Sequence, residues 1–169
     1  MARTYRLERT QVIPKPRAEV FAFFSDAKNL ERITPPMVGF RFLSPPPTAI
    51  ASGTVIDYQL KLHGFPLRWR TRIETFEPGL AFTDIQLHGP YRSWHHRHAF
   101  SDVPGGTRMD DTVNYQLPLG PLGAVVGSLF VARALRQIFD FRAQRIAELF
   151  GGDDSGALEA VGLVRTRAD

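Results

Sequence analysis

The chain has 169 residues, 43% of them hydrophobic and 22% charged, with a formal net charge of +4. That size and balance describe one soluble globular domain, able to bury about 70% of its unfolded surface. There is no cysteine, which excludes disulfides and thiolate metal sites and gives no reason to expect an oxidising compartment.

The arginines are scattered through every segment, which reads as a solvated surface and not as a nucleic-acid interface. The N-terminus enters a strand-like alternation without an apolar signal region, so a cytoplasmic protein is expected. The most apolar stretch, Leu119 to Leu135, is broken by Gly120, Pro121, Gly123, Gly127 and Arg133, too often for a membrane span.

Tyr5 to Ile13 alternates as a first strand, stopped by Pro14 and Pro16. Arg17 to Phe24 carries Val20, Phe21, Phe23 and Phe24 on a short helix. Ser25 or Asp26 is placed to cap a second one through Ile33, which Thr34-Pro35-Pro36 ends. A strand is expected over Val38 to Leu43, followed by the extended loop Ser44-Pro45-Pro46-Pro47. Beyond Gly53, Ile56, Tyr58, Leu60 and Leu62 alternate against Asp57, Gln59 and Lys61, and His63-Gly64-Phe65-Pro66 turns the chain. Leu67, Trp69, Thr71 and Ile73 then alternate against Arg68, Arg70, Arg72 and Glu74. The arginine row must face solvent, because burying three unpaired guanidiniums would cost far too much. Glu77-Pro78-Gly79 leads into Phe82 to Leu87, where pattern alone puts Ile85 and Leu87 inside.

The next two strands form a hairpin. Trp94, His96, His98 and Phe100 share one face of the first arm; Met109, Asp111, Val113 and Tyr115 share one face of the second. Opposed residues must lie on the same sheet face, so the paired numbers add to an odd total. A turn centred between Pro104 and Gly105 pairs Phe100 with Met109 and His98 with Asp111. His95 falls on the solvent face with Arg97. A long helix is predicted over Pro121 to Phe150, with Pro121 in its first turn. Its first half (Val125, Val126, Leu129, Phe130, Val131) is apolar nearly all round and calls for burial or a cavity, and its second half is amphipathic. Residues 1–150 form a single domain, and 151–169 read as a flexible tail.

Strand, two short helices, six strands and a long helix is the order of the helix-grip fold. The local residues extend the likeness: Phe82-x-Asp84-x-Gln86-x-x-Gly89-Pro90, then Trp94-x-His96-x-His98-x-Phe100. They continue as Gly106-Thr107-x-Met109-x-Asp111-x-Val113-x-Tyr115-x-x-Pro118, with Phe139 and Arg142 on the helix. The chain resembles the SRPBCC (START-like) superfamily, and within it the bacterial ligand-binding cyclase/dehydrase-like proteins. That resemblance implies an α+β fold: a curved seven-stranded antiparallel sheet wrapped around a long C-terminal helix, with two short helices after the first strand. It also implies a hydrophobic cavity between sheet and helix, and turns Phe82, Asp84 and Gln86 to the same side as Trp94, His96 and His98.

The candidate ligand-binding set is then Trp69, Phe82, Asp84, Gln86, Trp94, His96, His98, Phe100, Met109, Asp111 and Tyr115 from the sheet. Val126, Leu129 and Phe130 join it from the helix. Asp84, Gln86, His96, His98 and Asp111 form a polar cluster in an aromatic pocket, open to three readings. It is a satisfied buried network in which His98 bonds Asp111 and His96 bonds Asp84 or Gln86. Or it orients a small apolar molecule, such as a lipid, polyketide or aromatic metabolite. Or His98, Asp111 and His96 serve as general-base machinery for a cyclisation or dehydration. Two histidines at i, i+2 with nearby carboxylates could also ligate zinc or iron, but Trp94 and Phe100 crowd the same face and no metal is assigned. The sequence shows no cofactor motif. Binding of a small hydrophobic molecule is the favoured reading, and a protein-interaction module using the Arg68/Arg70/Arg72 face is its rival.

Overall fold

Alternation along the chain becomes a sheet whose concave face is apolar and whose convex face carries the charges. In the computed structural model the elements run β1 (Thr4–Ile13), α1 (Arg17–Ser25), α2 (Asn29–Arg32), a 3-10 turn (Pro36–Val38) and β2 (Arg41–Phe42). They continue as β3 (Val55–Leu62), β4 (Phe65–Glu77), β5 (Ala81–His88), β6 (Ser93–Val103), β7 (Gly106–Gln116) and α3 (Pro121–Phe150). The structure describes residues 3–62, 64–118 and 121–152, with Leu62 and 121–129 by backbone alone. The seven strands form one antiparallel sheet in the order β1-β7-β6-β5-β4-β3-β2, curled around α3. This is the expected α+β helix-grip architecture. The tail beyond Gly152 and the turn residue His63 lie outside the described residues, as do the side chains of Val126 and Leu129.

The hairpin register is the one the turn demands. Val103 pairs with Gly106, leaving Pro104-Gly105 as a two-residue connection; Pro104 pre-sets its own φ and Gly105 takes φ +86°. Phe100 faces Met109, His98 faces Asp111 and Trp94 faces Tyr115. Gly106 has a second constraint, since a Cβ there would lie 2.1 Å from the Ile13 carbonyl oxygen. Only a bare backbone can pass so close to the exit of β1.

Three boundaries differ from the sequence expectation. Val38 belongs to the 3-10 turn, and Gly39 at φ +50° redirects the chain, so β2 keeps only Arg41 and Phe42. No side chain caps α2; Asp26 instead accepts the Lys28 backbone N–H at 3.0 Å. Phe65 and Pro66 are already in β4, paired with Leu62 and Lys61. β4 also carries two register shifts against β5, at Arg70/Thr71 and Ile73/Thr75. The second lets Phe76 join Ile73 on the inner face, paired with Phe82, which strict alternation forbids.

The arginine row lies on the convex face, where Arg70 holds Asp57 through two hydrogen bonds of 2.7 and 3.1 Å. On the concave face two core clusters form. One gathers Ile13, Val20, Phe21, Phe82, Phe100, Met109 and Ile146; the other Leu7, Trp69, Trp94, Val113, Tyr115, Leu135 and Phe139. His96 and His98 sit on β6 between Trp94 of one cluster and Phe100 of the other. Helix and sheet are tied at β1, where Arg9 Nη1 reaches Asp140 Oδ1 at 2.6 Å and Gln11 Nε2 donates to the Ala143 carbonyl at 2.9 Å.

Candidate functional site

Three adjacent strands build the polar cluster. Asp84 on β5 lies across from His96 on β6, and His98 lies across from Asp111 on β7. The diagonals close as well. His96 Nε2 donates to Asp111 Oδ1 at 3.1 Å, and His98 Nε2 stands 3.4 Å from Asp84 Oδ2. His98 Nδ1 is 2.7 Å from Asp111 Oδ1, though out of line for a straight hydrogen bond, and His96 Nδ1 is 3.5 Å from Asp84 Oδ2. Thr71 on β4 donates to Asp84 Oδ1 at 3.2 Å, or to the Ile85 carbonyl at 2.9 Å. The rings of His96 and His98 lie 3.9 Å apart, with Phe82 stacked on His98 at 4.4 Å and Phe139 beside His96 at 5.6 Å.

Electrostatics divides the four groups. Burial works against ionising Asp111, but the charge of His98 and hydrogen bonding to His96 and His98 hold it far below the usual carboxylate range. Asp84 is lowered in the same way: burial opposes, and contact with His98 and the charges of both histidines prevail. Burial alone would lower His98, yet the charge and close contact of Asp111, with Asp84 behind it, raise it. His96 goes the other way, lowered by burial and by the charge of His98. The two imidazoles are thus pushed in opposite directions, His98 toward the charged form and His96 toward the neutral one.

The cluster stands in the wall of a cavity of about 200 Å³ between the sheet and α3. Aromatic side chains line one side, including Tyr58, Trp69, Tyr91 and Trp94. Phe23, Phe24 and Leu30 from the short helices, with Ile33 just past α2, close another, and Leu135, Ile138, Phe139 and Arg142 form the helix side. Asp84, His96 and His98 line it; Asp111 lies behind them, against a small void shared with Arg9, Gln11 and Phe139. The Arg142 guanidinium rides on the Phe139 ring at 5.0 Å and brings a cation to the helix side of the cavity. Burial and the charge of Asp84 push the Tyr58 phenol well above its ordinary value, so it stays a neutral donor. Asp84, His96 and His98 each offer a ligating atom within 4.8 Å of the others, and are the side chains here that could hold a metal.

Of the residues singled out in the sequence, Trp69, Phe82, Asp84, Trp94, His96 and His98 line the cavity. Phe100 and Met109 pack in the first core cluster, and Tyr115 stacks on Tyr5 in the second. Gln86 faces inward but its amide is taken by the backbone of Tyr91, donating to its carbonyl at 2.8 Å and accepting its N–H at 3.3 Å. His96, expected on Asp84 or Gln86, makes its hydrogen bond to Asp111. Ile85 and Leu87, placed inside by bare alternation, are half-buried and 47% exposed respectively. Asp84 takes the inward side because Thr71 and two histidines receive it there.

Phe130 is a correction. The sequence pattern places it in the cavity, and it is 51% exposed. Nine residues before Phe139, it stands two and a half turns away, on the opposite side of the helix. Among the described residues the helix side of the cavity comes from the second half of α3. Tyr91, Arg142 and Thr71 had no place in the sequence-derived set. Tyr91 sits in the Gly89-Pro90 loop, where no periodicity marks an inward residue, and is fixed by Gln86. Tyr58 did carry a signal, since it alternates inward and pairs with Trp69.

The chain matches the model of the family described as polyketide cyclase / dehydrase and lipid transport over residues 13–142. It belongs to that family. Its fold is shared with TTHA0849 from Thermus thermophilus at 16% identity and TM-score 0.67, covering 85% of this chain and 94% of that one. Ara h 8.0201 aligns at 14% identity and TM-score 0.57, over 86% of this chain and 99% of that one. The di-domain ARO/CYC StfQ from the steffimycin biosynthetic pathway aligns at 12% identity and TM-score 0.67, over 88% of this chain and 51% of that one. This chain thus corresponds to about half of StfQ. At these identities the likeness is one of fold. No curated protein matches the sequence. Among the described residues no helix is long and apolar enough to cross a membrane.

Proposed function

We propose that this member of the family binds a small, flat, mostly apolar metabolite of the cytoplasm between the sheet and α3. The cavity's aromatic side chains supply contact area, and Asp84, His96 and Arg142 meet the ligand's polar substituents. One observation carries this reading: a buried, charged cluster stands in the wall of a cavity otherwise lined mostly by rings and aliphatic groups. The volume lies below the roughly 300–1,000 Å³ of pockets for drug-sized molecules, so it suits one or two rings better than a two-chain lipid. The test is native mass spectrometry of the purified protein for a co-purifying molecule, with titration of a naphthol-type fluorescent compound. Ile138→Trp, which fills the helix side of the cavity, should weaken binding at least tenfold while the protein stays folded. Equal binding by both proteins would reject the reading.

A cyclase-like reaction is the second reading, and one feature favours it: His96 lines the cavity, is held by a carboxylate, and is pushed by burial and by His98 toward the neutral form that a general base uses. A diketone with exchangeable methylene protons is the probe. Accelerated deuterium exchange that His96→Gln abolishes would support a base in the cavity, and exchange at the solvent rate would count against it.

A further inference from the structure

The four nitrogen–oxygen contacts of the cluster are not equivalent. Those to Asp111 Oδ1 are short, 3.1 Å from His96 Nε2 and 2.7 Å from His98 Nδ1. Those to Asp84 Oδ2 are 3.5 Å from His96 Nδ1 and 3.4 Å from His98 Nε2, beyond the 2.7–3.2 Å of a good N–H···O bond. The long pair is the one at the cavity. A neutral imidazole has a single N–H. When each neutral ring carries its proton on the nitrogen facing Asp111, the other two nitrogens and Asp84 Oδ2 present three lone pairs to one gap. Lone pairs so placed repel unless a cation lies among them. A proton on His98 relieves one contact; a divalent ion relieves all three.

We propose that Asp84, His96 and His98 form a binding site for a first-row divalent metal ion, with zinc the best fit and a fourth position open to the cavity. Tetrahedral zinc with bonds of about 2.0–2.1 Å sets neighbouring ligand atoms about 3.3–3.4 Å apart, so the two long contacts already have the spacing of its edges. Two imidazoles and one carboxylate are a donor set that zinc and ferrous iron both accept. The buried Asp111 supplies what metal-bound histidines require behind them, a carboxylate on the far nitrogen of each ring that fixes its orientation. Two aspartates also balance the ion's charge. Held there, the ion would offer a Lewis acid to a carbonyl or phenolate oxygen entering the cavity. The site does not depend on the ligand reading, since an ion can bind with the cavity otherwise empty.

The experiment uses the untagged full chain, stripped with a chelator and dialysed, then titrated with zinc by calorimetry and with cobalt(II) by visible absorption. One ion per chain at submicromolar Kd is expected, with the d–d bands of a four- or five-coordinate cobalt. Asp84→Asn and His98→Gln should each weaken binding at least tenfold, and Asp111→Asn about 10- to 100-fold. His95→Gln should leave it unchanged, because His95 faces solvent beside Glu74. Circular dichroism checks that each variant is folded. If the ligand variants do not fold, the wild-type histidine ring NMR signals decide: cobalt must displace those of His96 and His98 and spare that of His95. No uptake at tens of micromolar zinc overturns the proposal, as does uptake that survives Asp84→Asn and His98→Gln or follows His95. Naphthol binding by the stripped protein is read separately, so loss of one reading does not disguise loss of the other.

Discussion

The two sides of the sheet meet the same helix in opposite ways. On the β1–β7 side contact is closed: Leu7 and Val113 are fully buried, Arg9 grips Asp140, and Gln11 reaches the helix backbone past the small Ala143. On the β3–β6 side, among aliphatic residues such as Ile56, Leu60 and Ile73, the inward rings pack on one another. Tyr58 stacks on Trp69 at 6.0 Å, and Trp69 meets Trp94 edge-on at 5.3 Å. Rings that pack on each other along the sheet leave a cavity between themselves and part of α3, which Leu135, Ile138, Phe139 and Arg142 line from the helix side. A grip needs short or reaching side chains opposite a small residue; a cavity needs a self-supporting aromatic floor. The cluster of aspartates and histidines lies where one regime gives way to the other.

The strongest way to break this contrast is at its border. Asp111→Asn removes one partner from a buried ionic network and should cost about 3–5 kcal/mol in urea unfolding. Asp84→Asn should cost less, because its side chain keeps 16% exposure to the cavity. Acid sharpens the same point. Asp84 and Asp111 both have lowered folded pKa values, so their stabilisation is complete above the ordinary carboxylate value of about 4 and is lost as pH falls through the folded ones. His98, raised, adds stability below about 6.5 that fades as pH climbs through its folded pKa. His96, lowered, does the reverse: its contribution is complete above about 6.5 and fades as pH falls through its folded pKa. Wild-type metal-free protein should therefore lose stability most steeply below about pH 4, with a slope that Asp111→Asn reduces.

Packing separates the two sides next. Leu7→Ala on the closed side should cost about 3–5 kcal/mol, as a buried leucine with neighbours on every side does, whereas Leu60→Ala at the cavity should cost about 1 kcal/mol. Equal costs would mean the cavity side is as tightly packed as the grip. Smaller than the Leu7 effect is Gln11→Ala, which removes one buried hydrogen bond to the helix, about 1–2 kcal/mol by thermal or urea unfolding. Least is the convex face. Changing Arg68, Arg70 and Arg72 to Gln should shift stability by no more than about 0.5 kcal/mol per site and leave naphthol binding intact. A lost pull-down partner in that triple variant would favour the interaction-module alternative.

Much of the border is legible in the sequence. Odd-sum pairing about Pro104-Gly105 places His98 opposite Asp111 because a side-chain period of two leaves no intermediate register. The family resemblance turns Asp84 inward where hydrophobic alternation alone turns it out. What stayed hidden depends on contacts distant in sequence. The shift after Ile73 brings Phe76 inward, and no local pattern announces an extra residue. Tyr91 is held in place by Gln86 from across a loop. The apolar first half of α3 draws attention away from Ile138, Phe139 and Arg142, because all-round hydrophobicity says that a segment is covered and not which partner covers it. Phe130 shows the error in one residue.

Trp69 and Trp94 are the chain's two tryptophans, and both line the cavity. Its ultraviolet emission therefore comes from a single place. The two indoles, edge to face, should give a coupled near-ultraviolet dichroic band that an unfolded or repacked floor would lack. A molecule entering between them and α3 replaces water at the rings and should move the emission to shorter wavelength. A paramagnetic ion at the neighbouring histidines should quench it, with Trp94 only 6.1 Å from the His96 ring. The fold thus carries its own optical label, set in the cavity wall.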